Sequence, residues 1–208
     1  MATRTAWNKE KSVGQKKPLS PNEIKSIKHI LGNDNSLQGL RDLTLLSVAV
    51  DTMLRGCDLV KLTVDDITDH EGQVIHEFTL QQKKTGQGNT LALTPETRAT
   101  VARWIDKTHK LERDYLFTRT RAKTSEPIST TAYLNLINAW VVLLNLDPQG
   151  YGTHSLRRTK AAYIYAKTKN IEAIRQLLGQ KSIASTSAYL GIDQQEAMNV
   201  GRKFETVF

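Results

Sequence analysis

The chain has 208 residues, 39% of them hydrophobic and 24% charged, which is enough for one domain with its own core. Its one cysteine, Cys57, excludes an internal disulfide and a cysteine-ligated zinc cluster; no apolar run approaches the ~18 residues of a membrane helix, and the polar N-terminus lacks a secretory apolar stretch. Lysine and arginine number 29 against 21 acidic residues, and the resulting charge of +8 favours a polyanionic partner, nucleic acid first, in a reducing cytoplasm.

Residues 1–19 are polar and basic, with Arg4, Lys9, Lys11, Lys16 and Lys17 against Glu10, and read as a mobile arm. A single domain is expected over 20–208. Ser20 caps a first helix, Pro21 suits its first position, Glu23 completes a capping box, and Gly32 ends it. A largely buried helix is expected from about Ser36 to Leu54, followed by a short amphipathic turn in "CDLVKLTVDDI". "VIHEFTLQQ" alternates like a half-exposed strand, "KKTGQGN" supplies turn residues, and "TLALT" gives a second strand, so a hairpin with Lys83 and Lys84 near its tip is predicted. Further helices are predicted from Pro95 to His109, Ser129 to Leu144, Thr153 to Lys167 and Ile171 to Leu178, with a short piece up to Leu190 and a tail helix from about Asp193. The fold class is mainly α with a small antiparallel β-sheet.

Four stretches carry residues suited to chemistry. In "GTHSLRRTK", His154 and Arg157 are three apart and share a helix face, while Arg157 and Arg158 point in different directions. An inward guanidinium needs an anion, and its fork matches phosphate; a surface arginine beside a capping histidine is the plainer alternative. In "DTMLRGCDL", Arg55 ends an apolar helix and Asp58 is the local group that could hold it, as a simple salt bridge if nothing more. The hairpin lysines are either solvated charges or groups reaching across a groove. Asp65 and Asp66 are adjacent, fall on different faces, and lack the spaced partners of a metal site.

Taken in order, Arg55 in "LRGCDL", Lys84 in "KKTG", His154 and Arg157 in "HSLRRT", and Tyr189 in "LLGQKSIASTSAYL" resemble the signatures of the tyrosine recombinases, the phage integrase family. The resemblance spans roughly residues 20–203. It implies the catalytic-domain fold of that family and site-specific DNA cleavage and rejoining through a 3′-phosphotyrosyl link, without metal, ATP or other cofactor. It implies Tyr189 as nucleophile, Arg55 and Arg157 as clamps on the phosphate oxygens, His154 as proton acceptor or relay, and Lys84 as general acid, with Asp58 supporting the first arginine. Lys83, Arg158 and Lys181 would meet DNA. It also implies double-stranded DNA carrying a specific site as partner, a tetramer on that DNA, accessory DNA-bending proteins in some systems, and a bacterial, nucleoid-associated location.

Two departures stand out. Gln180 occupies the place where the family usually has histidine, sometimes tryptophan; its amide can donate to phosphate but cannot relay a proton, so slower chemistry is expected. Only about 19 polar residues precede the first helix, where many members carry a separate helical domain, so the chain resembles short catalytic-domain-only recombinases and invertases, or a catalytic fragment. Relaxation of supercoiled DNA by a type IB topoisomerase-like activity, or a catalytically weakened DNA-binding regulator, are the alternative functions.

Overall fold

Ser20 opens the first helix as its local chemistry requires. In the computed structural model, which describes residues 15–81, 88–119, 126–192 and 202, the Ser20 hydroxyl accepts the Glu23 N–H and the Glu23 carboxylate accepts the Ser20 N–H, capping α1 (Pro21–Gly32) reciprocally. Helix α2 (Leu37–Thr52) is buried on nearly every side. Leu45, Leu46 and Val48 are sealed within it, each contributing on the order of 2 kcal/mol of apolar burial. A residue pattern this apolar suits a central helix, and α1, α4 (Pro95–Thr108) and α6 (Thr153–Thr168) all lie against it.

The short helix α3 (Gly56–Leu59) follows, and then an antiparallel pair, β1 (Glu77–Gln81) and β2 (Gly88–Ala92), with Glu77 opposite Ala92 and Gln81 opposite Gly88. Phe78 and Leu91 point inward from it. The segment joining the strands, with Lys83 and Lys84, lies outside the described residues. Helix α5 (Thr130–Val142), capped by Ser129, buries Tyr133, Ile137 and Trp140. A 3-10 turn at Pro148–Gly150 leads into α6, then α7 (Ile171–Leu177) and α8 (Ile183–Leu190). Among the described residues the fold is therefore mainly helical with one two-stranded sheet, the class expected.

Two buried clusters divide the labour. The larger one is built around α2. The smaller contains Met53, Ala161, Ile174 and Leu178, with Tyr165, Tyr189 and Leu190 packed on it. Polar ties fix α6 relative to the first cluster: Lys160 Nζ donates to the Asp51 carbonyl at 2.8 Å, and the Asp51 carboxylate accepts the N–H and hydroxyl of Thr94 at the start of α4.

Part of the expected arm packs on the domain. Residues 15–19 lie against the domain, with Leu19 only 3% exposed. The apolar Leu19 after Pro18 is the reason, because it finds a place under α6 where its N–H meets the Thr159 hydroxyl. The basic residues before Gln15 and the tail helix expected from Asp193 lie outside the described residues. No helix among those described is long and apolar enough to cross a membrane.

Candidate active site

The end of α2 prepares the site. Met53 adopts a left-handed conformation (φ 51°), costly for a residue with a side chain, and its carbonyl is the one that accepts Arg157 Nη1 at 2.5 Å. Arg55 follows as the residue capping α3. Gly56 lets this corner close: a Cβ there would stand 3.3 Å from the Tyr133 ring and 3.4 Å from Thr153, so Arg55 is brought beside the first turn of α6.

Helix α6 supplies His154, Arg157 and Arg158. The His154 imidazole is exposed, and its ring meets that of Tyr189 edge-on with centroids 6.4 Å apart. Arg157 is buried, and besides Met53 its Nη2 donates to the Leu178 carbonyl at 2.8 Å. Two of its five N–H donors thus join α2, α6 and α7, and three remain for other work. Burial pulls the Arg157 guanidinium below its ordinary pKa, Arg55 pushes in the same direction, and Asp58 opposes both. Two neighbouring guanidiniums in a poorly solvated corner are stabilised by an added anion, and a phosphate offers oxygens to both.

Tyr189 comes from α8, which Ser182 caps through the Ser185 N–H and Gly191 ends at φ 76°. The segment of small residues before it is thus a regular helix. Its ring packs on the smaller core, with the Arg157 Cζ 6.0 Å and the Arg158 Cζ 5.7 Å from its centroid. Among the described residues its hydroxyl is buried and meets no hydrogen-bond partner of acceptable geometry, although Arg157 lies close enough to act on it. Burial pushes the phenol up to about 12, against the pull of Arg157, Arg158 and Arg55. It is therefore neutral at ordinary pH, and its hydroxyl is sealed from solvent.

Gln180 stands at the turn between α7 and α8. Its side-chain oxygen accepts the Thr186 hydroxyl at 2.6 Å, and its carbonyl accepts Arg175 Nη1 at 2.7 Å. Thr186 is fully buried, and by occupying the amide oxygen it leaves the Gln180 NH₂ as the outward group. Thr186 is not among the site residues singled out from the sequence; its place three residues before Tyr189, one turn earlier on the same helix face, is the available signal. Lys181 is exposed.

Arg158 is 6% exposed, donates to the Lys16 carbonyl and covers the Tyr189 ring, because the strap of residues 15–19 lies across that side of α6. Asp58 is buried, its carboxylate oxygens accept no hydrogen bond among the described residues, and its charge acts on Arg157. Lys83 and Lys84 lie outside the described residues. A cavity of about 660 Å³ between α1, α2, α4 and α6 is lined by none of His154, Arg157 or Tyr189. No group of three His, Cys, Asp or Glu side chains among the described residues is placed to hold a metal ion.

The phage integrase family model matches residues 17–196. The chain belongs to the phage integrase family. Curated relatives agree. It is 26% identical over 172 residues to a probable integrase/recombinase, YoeC, of Bacillus subtilis, covering 83% of this chain and 87% of that one. It is 24% identical over 196 residues to the tyrosine recombinase XerA of Pyrococcus horikoshii, covering 92% of this chain but 63% of XerA. A tyrosine recombinase of Pseudothermotoga lettingae matches at 24% identity over 185 residues, 89% of this chain and 59% of its own length. Among solved structures, XerH bound to its difH substrate superposes with a TM-score of 0.72 at 16% identity, over 95% of this chain and 56% of XerH. The catalytic domain of bacteriophage HP1 integrase superposes at 0.58 with 19% identity, over 92% and 96%. The integrase fold is thus the frame in which the arginines, imidazole and phenol are gathered.

Proposed function

We infer that this integrase-family chain is a site-specific DNA recombinase that breaks and rejoins strands through Tyr189. The carrying observation is the gathering of His154, Arg157 and Tyr189 from α6 and α8 into one corner, with rings and guanidinium about 6 Å apart, and Arg55 close enough to act on both Arg157 and Tyr189. The Tyr189 oxygen attacks a backbone phosphorus, the bond from phosphorus to the 5′-oxygen breaks, and a 3′-phosphotyrosyl link forms. His154 accepts or relays the phenolic proton, and Lys84 gives one to the departing 5′-oxygen. Arg55 and Arg157 carry the charge that builds on the non-bridging oxygens, and the Gln180 NH₂ adds a neutral donor. Attack by a 5′-hydroxyl from another strand reverses the step and reseals the backbone, so bond energy is conserved throughout. Double-stranded DNA is the substrate, Lys181 and Lys83 meet its backbone, and a tetramer in the bacterial cytoplasm is the working form.

The test is a trapped adduct. A duplex enriched from a random-sequence pool by binding to the full chain, then nicked so that the cleaved end diffuses away, accumulates protein–DNA product. Mass spectrometry of that product places the DNA on the peptide containing Tyr189. An adduct on another residue, or a Tyr189→Phe variant that still forms it, overturns the assignment.

A further inference from the structure

Residues 15–19 form a strap across the nucleophile's helix, and its contacts have no role in the chemistry above. Gln15 Nε2 donates to the carbonyls of Ala188 and Tyr189, each at 2.8 Å, in the last turn of α8, where the Ala188 carbonyl also accepts the Gly191 N–H. The next carbonyl, that of Lys16, accepts from Arg158, the guanidinium that covers the Tyr189 ring. Lys16 Nζ donates to the Gln149 carbonyl at 2.5 Å, and the Lys17 N–H donates to the Gly150 carbonyl at 3.0 Å. Leu19 anchors the far end in the core. The glycine ending α8 admits this approach, since a Cβ on Gly191 would stand 3.2 Å from the Gln15 side-chain oxygen. The tyrosine whose carbonyl the strap holds is the one whose hydroxyl is buried.

We propose that the strap is a clasp that holds Tyr189 in its sealed position when DNA is absent, and that a DNA backbone opens it by drawing away Lys16 and Lys17. The proposal rests on the reading of Tyr189 as the nucleophile, since a sealed hydroxyl must come out to reach a phosphorus. The opening force is a difference in partners. The Lys16 ammonium is held by a neutral carbonyl, and a phosphate oxygen offers it an opposite charge in place of a dipole. Lys17 is already exposed and holds the strap only through its backbone, leaving its ammonium available to the same phosphates. Because Arg158 hangs on the Lys16 carbonyl, lifting the strap also frees the cover on the ring. By linkage, a clasp opened by DNA must also weaken DNA binding while it is closed.

The full chain carrying Gln15→Ala or Gln15→Glu tests this without a cognate site. Neither variant can donate to the two carbonyls, and Gln15 is exposed, so folding is preserved and is checked by thermal melting. Nitration of DNA-free protein by tetranitromethane, mapped by peptide mass spectrometry, is expected to rise at Tyr189 by about 5-fold or more in both variants, the scale of losing one or two net hydrogen bonds. Exposed Tyr163 serves as internal reference. Anisotropy with a labelled non-cognate 30-base-pair duplex is expected to show Gln15→Ala binding ~3-fold or more tighter than the parent chain. Unchanged nitration at Tyr189 overturns the clasp, and raised nitration with unchanged affinity overturns its opening by DNA. Neither readout uses cleavage, so failure here is separate from failure of the trapped adduct to form on Tyr189.

Discussion

Arg157→Lys separates the two tasks given to one guanidinium. The buried arginine spends one donor on Met53 and one on Leu178, residues 104 and 21 positions away, and so ties the ends of α2 and α7 to α6. A lysine keeps the charge but has a single nitrogen, which cannot reach both carbonyls and a phosphate together. Losing one charged hydrogen bond and leaving a buried carbonyl unpaired costs about 2–3 kcal/mol of folding stability. The cleavage step loses more, because the fork on the phosphate is gone when charge builds up; about 3–4 kcal/mol of barrier corresponds to roughly 10²- to 10³-fold in rate. Urea unfolding at 25 °C measures the first effect. Single-turnover cleavage of the nicked duplex, at a temperature where melting shows the variant folded, measures the second. A variant as stable as the parent would refute the structural tie, and one that cleaves at the parent's rate would refute the clamp.

Tyr189→Phe is expected to abolish the covalent adduct and yet stabilise the fold by up to about 1 kcal/mol in urea melts, because it removes a buried hydroxyl that makes no hydrogen bond of acceptable geometry among the described residues. The same variant reports on alkaline behaviour. The phenol sits at about 12 in the folded chain and near 10 when unfolded, so its contribution is fully present below pH 10 and is lost as pH rises from 10 to 12. Urea melts across that range are therefore expected to fall less steeply for the variant, with buried Tyr133, also pushed upward, sustaining part of the decline. Thr186→Val is expected to slow cleavage about 5- to 10-fold by freeing the Gln180 amide to turn, with Thr186→Ser restoring most of the rate. In a Gln180→His background the Thr186→Val effect is expected to shrink, since the amide it orients is absent.

The sequence alone determined the helices, the hairpin strands and the chemical inventory. Capping at Ser20 and Ser129, proline at the first turns of α1 and α4, and the alternation through Phe78 and Leu80 are local signals, legible because each depends on neighbours a few residues away. The residue types at Arg55, His154, Arg157 and Tyr189 carried the chemistry for the same reason: a phosphate-transfer site needs those groups whatever surrounds them. Only the tertiary structure decided how they are used. That both arginines of "RRT" turn inward, that the Asp58 carboxylate accepts no hydrogen bond among the described residues, and that a strap 174 residues from Tyr189 holds its carbonyl all depend on contacts between distant segments. Such contacts are set by which surfaces the two cores bring together, and helix periodicity says which face a side chain occupies without saying what that face will meet.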